Sequence, residues 1–173
     1  PSDDQFRNCD VNMDEVINIY DAIMIVDIIF DAAARLVEFD PDAIAYIDLV
    51  LDHNAPELLL NIEYTETLRG LQFELVYDPA VVSLMSPVLA LAQDMVMISF
   101  NEKTPGTIKV VAFNHQGGGI EFDENTVISV PFERDSELDG AGAIRIERIA
   151  LAGPDGEPVD FVARSASAEL AVV

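Results

Sequence analysis

Gly70-Leu71-Gln72-Phe73-Glu74-Leu75-Val76-Tyr77-Asp78-Pro79 decides how the rest of the chain is read. Leu71, Phe73, Leu75 and Tyr77 recur every second residue, and that period places them on one face of a strand. Asp78-Pro79 closes the run, because proline brings no N–H to a ladder and aspartate ahead of it favours a turn. The stretch reads as a half-buried strand.

The same punctuation recurs from about residue 42 to the end. His53-Asn54-Ala55-Pro56, Thr104-Pro105-Gly106, Gly117-Gly118-Gly119, Asp139-Gly140 and Gly153-Pro154-Asp155-Gly156 separate short apolar or alternating runs. The runs are Ala43–Leu51, Glu57–Thr65, Leu71–Tyr77, Met95–Phe100, Thr107–Phe113, Thr126–Phe132, Ala143–Ala150, Val159–Ala163 and Ala168–Val173. About nine short strands at this spacing predict an antiparallel β-sandwich rather than βαβ units. No repeat is visible within them.

Residues 1–41 follow another pattern. A polar start, Pro1–Asn8, leads into an Asp/Asn-rich loop and then a helix expected from about Asp21 to Glu38. The division predicted is an N-terminal Asp/Asn-rich loop and helix over 1–41 and a sandwich over 42–173, the latter able to fold by itself.

Asp10-Val11-Asn12-Met13-Asp14-Glu15-Val16-Ile17-Asn18-Ile19-Tyr20-Asp21 puts side-chain oxygens at loop positions one, three, five, nine and twelve. Calcium takes six to eight oxygens, and this spacing wraps a short chain around one ion. The expected ligands are Asp10, Asn12, Asp14 and Asp21 through side chains, the Val16 carbonyl, and Asn18 directly or through water. Ile17 is expected to plug the loop into the core. Two positions depart from the usual calcium loop: Glu15 stands where a glycine eases the turn, and Asp21 where a longer glutamate is usual.

Composition sets the classes of partner. The chain has 173 residues, half of them hydrophobic, which suffices for a packed core. Its 32 acidic residues face nine basic ones, for a net charge of −23, so phosphate backbones are repelled and nucleic-acid binding is excluded. Divalent cations are the natural counterpart; a solvated acidic surface kept for solubility accounts for the excess equally well. Cys9 is the single cysteine, so no intrachain disulfide forms, and it reads as a small packed residue. Ala22–Val26, resuming at Ile28–Phe30, is too short to span a bilayer. The start at Pro1 fits a mature secreted protein, which places the chain outside the cell or on its surface.

The loop pattern followed by Ala22-Ile23-Met24-Ile25-Val26 resembles one half of a dockerin, a module that pairs two such halves and docks its helices onto cohesins. No second intact loop follows; Phe39-Asp40-Pro41-Asp42 is a faint echo. The remainder resembles a cohesin. Gly70–Pro79 with Val81-Val82-Ser83-Leu84 is similar to that family's strand-and-turn signature, and Gly119-Ile120, Val127–Phe132 and Asp155–Val159 follow its later strands. The resemblance implies a mainly β, antiparallel jelly-roll-like sandwich that binds protein partners through a sheet face.

Nothing reads as a catalytic site. His53 and His115 fall in expected loops without a Gly-x-Ser-x-Gly elbow. Gly117-Gly118-Gly119 lacks the Lys-Ser/Thr that cradles phosphate. With no tryptophan and with Tyr20, Tyr46, Tyr64 and Tyr77 mostly in packing elements, polysaccharide binding is not indicated.

The helix carries the functional expectation. Across Asp21–Phe30 only Asp21 and Asp27 interrupt an apolar surface, more than one buried stripe requires. Either it packs on its own sandwich or another molecule covers it. The reading that follows is a calcium-dependent structural protein whose copies join head to tail, plug into sandwich, as a filament, tube or lattice. Its rivals are an adaptor binding separate cohesin or dockerin partners, and a carbohydrate-binding module.

Overall fold

Gly70–Val76 becomes the central strand of a sheet because one of its faces is wholly apolar. A computed structural model describes residues 9–30, 43–52, 55–89, 95–116, 118–122, 127–134, 142–154 and 156–170. Its elements run helix Ile19–Phe30 (α1), then strands Ala45–Asp52 (β1), Glu57–Glu63 (β2), Thr67–Leu68 (β3), Gly70–Val76 (β4), Val82–Leu84 (β5) and Val88–Leu89 (β6). Val96–Thr104 (β7), Thr107–Asn114 (β8), Ile120–Glu121 (β9), Val127–Arg134 (β10), Gly142–Ala152 (β11), Phe161–Ser165 (β12) and Ser167–Leu170 (β13) complete them.

Two sheets face each other. One has the order β12-β1-β2-β10-β5, with β6 also on β10; the other runs β13-β11-β4-β8-β7. A short β3–β9 pair lies apart from both. The alternation in β4 resolves as expected: Leu71, Phe73 and Leu75 are each 0% exposed. Ile108, Val110 and Ala112 of β8 join them, and Ile47, Leu49, Leu58, Leu60, Ile62, Ile128 and Val130 close the core from the other sheet. Each large side chain sealed there contributes about 1.5–3 kcal/mol.

Tyr77 and the turn after it behave as read. Asp78 Oδ1 accepts the Ala80 N–H at 2.9 Å, and the Val81 and Val82 N–H groups donate to the Asp78 carbonyl at 3.0 Å. Tyr77 donates its hydroxyl to Glu102 Oε1 at 2.6 Å, and the Gly106 N–H donates to the same oxygen at 3.0 Å. Burial first, then the Glu102 hydrogen bond and charge, push the Tyr77 phenol up to about 12. The same hydrogen bond, helped by the Gly106 N–H, lowers the Glu102 carboxyl.

One pairing departs from the all-antiparallel expectation. β12 runs parallel to β1 through Ala45↔Phe161, Tyr46↔Val162 and Ile47↔Ala163. Only one residue, Ala166, separates β12 from β13, so there the chain changes sheets: β12 belongs to the first and β13 pairs with β11 of the second. Ser165 Oγ fixes the crossing by donating to the Leu49 carbonyl at 3.1 Å, and the Ile146 N–H donates to Ala166 O at 2.8 Å.

The helix begins two residues earlier than expected, at Ile19. The remainder of the expected helix, residues 31–38, lies outside the described residues, as do the division at 41/42, His53, Gly117 and the end of the last strand, 171–173. Cys9, expected to be packed, is exposed. Among the described residues no helix is long and apolar enough to cross a membrane.

Candidate metal loop and helix-receiving face

Residues 10–21 close into a ring held by carboxylates. Asp10 Oδ1 accepts the Asp14 N–H at 3.1 Å, and its Oδ2 accepts the Glu15 N–H at 3.0 Å. From the far end, Asp21 Oδ1 accepts the Val11 N–H at 2.7 Å, while its Oδ2 accepts the Asn18 N–H at 2.9 Å. Asp14 Oδ1 accepts the Val16 N–H at 2.8 Å. Asn12 donates its amide to Asp14 Oδ2 at 2.9 Å, and Asn18 donates its own to the Val16 carbonyl at 3.2 Å. The six residues expected as ligands are thus brought into one hydrogen-bonded loop.

The backbone winds as the spacing demands. Glu15 has φ 68°, the left-handed conformation that position six normally assigns to glycine, and Met13 has φ 60°. A side chain there costs on the order of 1 kcal/mol, so the departure at Glu15 is a strained residue within a preserved turn.

The donor chemistry suits a hard cation: three carboxylates, two amides and a carbonyl are oxygen donors of the kind calcium takes. Asp10 is 9% exposed and Asp21 1%. None of the ion pairs among the described residues involves Asp10, Asp14 or Asp21. Buried carboxylates without a cationic partner rest on hydrogen bonds alone unless an ion joins them. Among the described residues no cluster of three or more His, Cys, Asp or Glu side chains is poised around a metal position, so amide and carbonyl oxygens would have to complete the set.

Asn18 and Asp21 have a second role that explains where the helix starts. Asn18 Oδ1 accepts the Tyr20 N–H at 2.7 Å, and Asp21 returns a bond to the Asn18 N–H. This is a reciprocal N-terminal cap, so α1 opens after Asn18. Ile17, expected as the plug, is 41% exposed. Ile19 and Ile23 take that part: they lie one turn apart on the buried face of α1, whereas Ile17 precedes the helix.

α1 lies across β4 and β11 on the outer face of the second sheet. Ile19 and Ile23 pack with Ala152, Val111, Phe113 and Ala150, flanked by Tyr20 and Ala22. Gly70 makes room for them. A Cβ there would stand 3.0 Å from Ile23 Cδ1 and 3.1 Å from Ile19 Cδ1, with the Ala112 carbonyl at 3.1 Å behind. Tyr20 donates its hydroxyl to the Leu151 carbonyl at 3.3 Å, and burial, then the Asp14 charge, raises its pKa. The buried Arg69 donates to the Pro154 carbonyl at 3.0 Å and braces the turn whose Gly156 meets Ile23.

No family model matches the sequence, and no curated protein does. Solved structures match in fold. A chain of a type I cohesin–dockerin complex from Clostridium thermocellum superposes with a TM-score of 0.60 at 10% identity, covering 77% of this chain and 97% of that one. A chain of a type II cohesin–X–dockerin complex from Acetivibrio cellulolyticus gives 0.55 at 15% identity, over 73% and 98%. A structure of the sixth cohesin of scaffoldin B from Acetivibrio cellulolyticus, in complex with a dockerin, gives 0.51 at 13% identity, over 72% and 96%. The fold of this chain is therefore a cohesin-like sandwich of two sheets with one short N-terminal helix.

Proposed function

We propose that this chain is an extracellular, non-catalytic protein-binding module of the cohesin kind, working as an adaptor. The observation that carries the reading is the helix already seated on the second sheet. Ile19 and Ile23 packed over Gly70 support a face that receives a helix. In the same reading the loop is a dockerin-like half module in which Asp10, Asn12, Asp14, Val16, Asn18 and Asp21 hold one Ca2+. The ion neutralises carboxylates in a chain of net charge −23 and fixes the start of α1.

Two measurements test it. Extracellular modules of this type bind calcium at about 10⁻⁴–10⁻³ M, and calorimetry should find that uptake in the wild type and lose it in an Asp10→Ala, Asp14→Ala double variant. Equal uptake by both removes the loop as the site. For the face, an Ile23→Asp chain frees the sheet from its own helix and should bind a synthetic peptide of residues 9–30 in calcium. No binding at millimolar peptide overturns the helix-receiving reading.

A second reading, self-assembly, draws on a separate observation: Met13, Val16, Ile17 and Ile25 leave apolar surface exposed on the loop and helix. The contact seen within the chain, made instead between copies, propagates head to tail. Light scattering in millimolar calcium, then chelator, separates the two readings. Reversible polymers support assembly, and a monomer at high concentration supports the adaptor.

A further inference from the structure

Where the chain crosses from β12 on β1 to β13 on β11, one edge of the sandwich stays open among the described residues. β13 pairs with β11 from Gly142 to Arg145, the Ile146 N–H reaches Ala166 O, and the edge is met again where the Val159 N–H donates to Leu151 O and Ala152 bridges Pro158. Between them, around residues 147–150, β11 has no strand partner on that side among the described residues, and β12 has none beyond β1. The ladder is irregular on both sides of the gap: β11 shifts register between Ile146 and Arg148, and β1 between Ile47 and Asp48. Bulges of this kind open a sheet and re-aim its side chains.

The gap holds a cavity of about 550 Å³. Ile47, Ile146, Ile149, Phe161 and Ala163 give it apolar walls, and Val16 and Asn18 of the loop form its outer side. At its mouth stands Arg148. Arg148 and Lys109 share Glu74 at 3.4 and 3.7 Å, while Glu147 is held by Arg145 at 2.7 Å. Arg148 and Lys109 thus share one carboxylate, while Arg145 and Glu147 form a closed pair.

We propose that this cavity is a strand-acceptor site for an extended peptide segment of a partner protein, with apolar residues alternating around a carboxylate. A free strand edge offers backbone N–H and C=O groups, which an extended peptide satisfies and a compact ligand does not. The vacant rank continues that of β13, so an added segment extends an existing ladder. Alternate side chains enter the apolar cavity, and the carboxylate meets the surplus charge at Arg148. This site borders the helix-receiving face, with Ala150 common to both, and opens toward the strand edge rather than under α1.

The test is fluorescence anisotropy of the full chain with a labelled heptapeptide of alternating valine and threonine carrying one central glutamate. A second peptide carries lysine in its place. The glutamate peptide should bind, and both the lysine peptide and an Arg148→Glu chain should weaken binding by about tenfold or more. Ala163→Trp, which fills the cavity, should abolish it while the unfolding transition is retained. Should that variant not fold, the Arg148→Glu comparison, an exposed change, decides alone. Absent binding, or binding indifferent to both substitutions, overturns the proposal. So does an apolar dye that Ala163→Trp displaces when neither peptide binds, since that marks a small-ligand cavity.

Discussion

The sandwich interior and the contact under α1 are both apolar, but they are built to different depths. Between the sheets, Leu71, Phe73 and Leu75 meet partners from both layers, and the register is fixed along whole strands. Under α1, two isoleucines and Ala152 are the fully buried members, and a single glycine makes the space. An interior of the first kind fails cooperatively when one large side chain is lost. A contact of the second kind can be removed without the fold and is suited to exchange.

The largest effect separates the two at once. Phe73→Ala should cost about 3–5 kcal/mol, seen in denaturant unfolding as loss of the whole transition near neutral pH. Gly70→Val should act first on the helix contact, because its side chain takes the space of Ile19 and Ile23, with a smaller strain against the Ala112 carbonyl; a loss of about 2–3 kcal/mol is expected. Amide exchange over residues 19–26 should accelerate while the strand amides stay protected, and equal acceleration everywhere would merge the two regions. Asp21→Ala removes three N–H acceptances that tie the loop to the helix start. It should cost about 1–2 kcal/mol of helix stability, with weakened calcium uptake in the same titration.

The smallest expected effect belongs to the sandwich rim. The Tyr77 phenol is pushed from 10.0 up to about 12, so the folded state holds its proton more tightly than the unfolded chain does. That contribution is complete below pH 10 and is lost as pH rises through about 12. Tyr77→Phe should flatten the fall in stability across that window, at a cost of about 1 kcal/mol near neutral pH. A variant with an unchanged alkaline slope would show that Tyr77 does not set it.

Most of the sandwich was legible because period-two alternation and proline or glycine turns act locally. The expected strands Glu57–Thr65 and Thr107–Phe113 became Glu57–Glu63 and Thr107–Asn114. β3 and β6 escaped because runs of two residues carry no period, and β5 and β9 were marked only by the family resemblance. The parallel β1–β12 pair escaped because alternation reports which face is buried and says nothing of strand direction. In the loop, Asn18 was legible as an oxygen donor but hid its capping role, since one side chain satisfies both patterns. Ile17 was read as the plug from its place in the loop; the helix starting at Ile19 decided otherwise. The open edge had no local signal, because it depends on where the chain crosses from β12 to β13.

That departure also orders events in time. Ser165 and Leu49, joined by the hydrogen bond at the crossing, are 116 residues apart in sequence. A chain emerging during synthesis makes Ala45–Asp52 long before Phe161–Ser165, so β1 has β2 on one side and no neighbour on the other until late. Asp48 and Asp52 interrupt that waiting strand with charge, which discourages pairing between nascent chains. Contacts this distant raise the mean sequence separation, and β-rich chains of that kind refold in about milliseconds to seconds. β12 is accordingly expected to form late: residues 161–165 should gain amide protection after β4 and β8, whose partners lie much nearer along the chain.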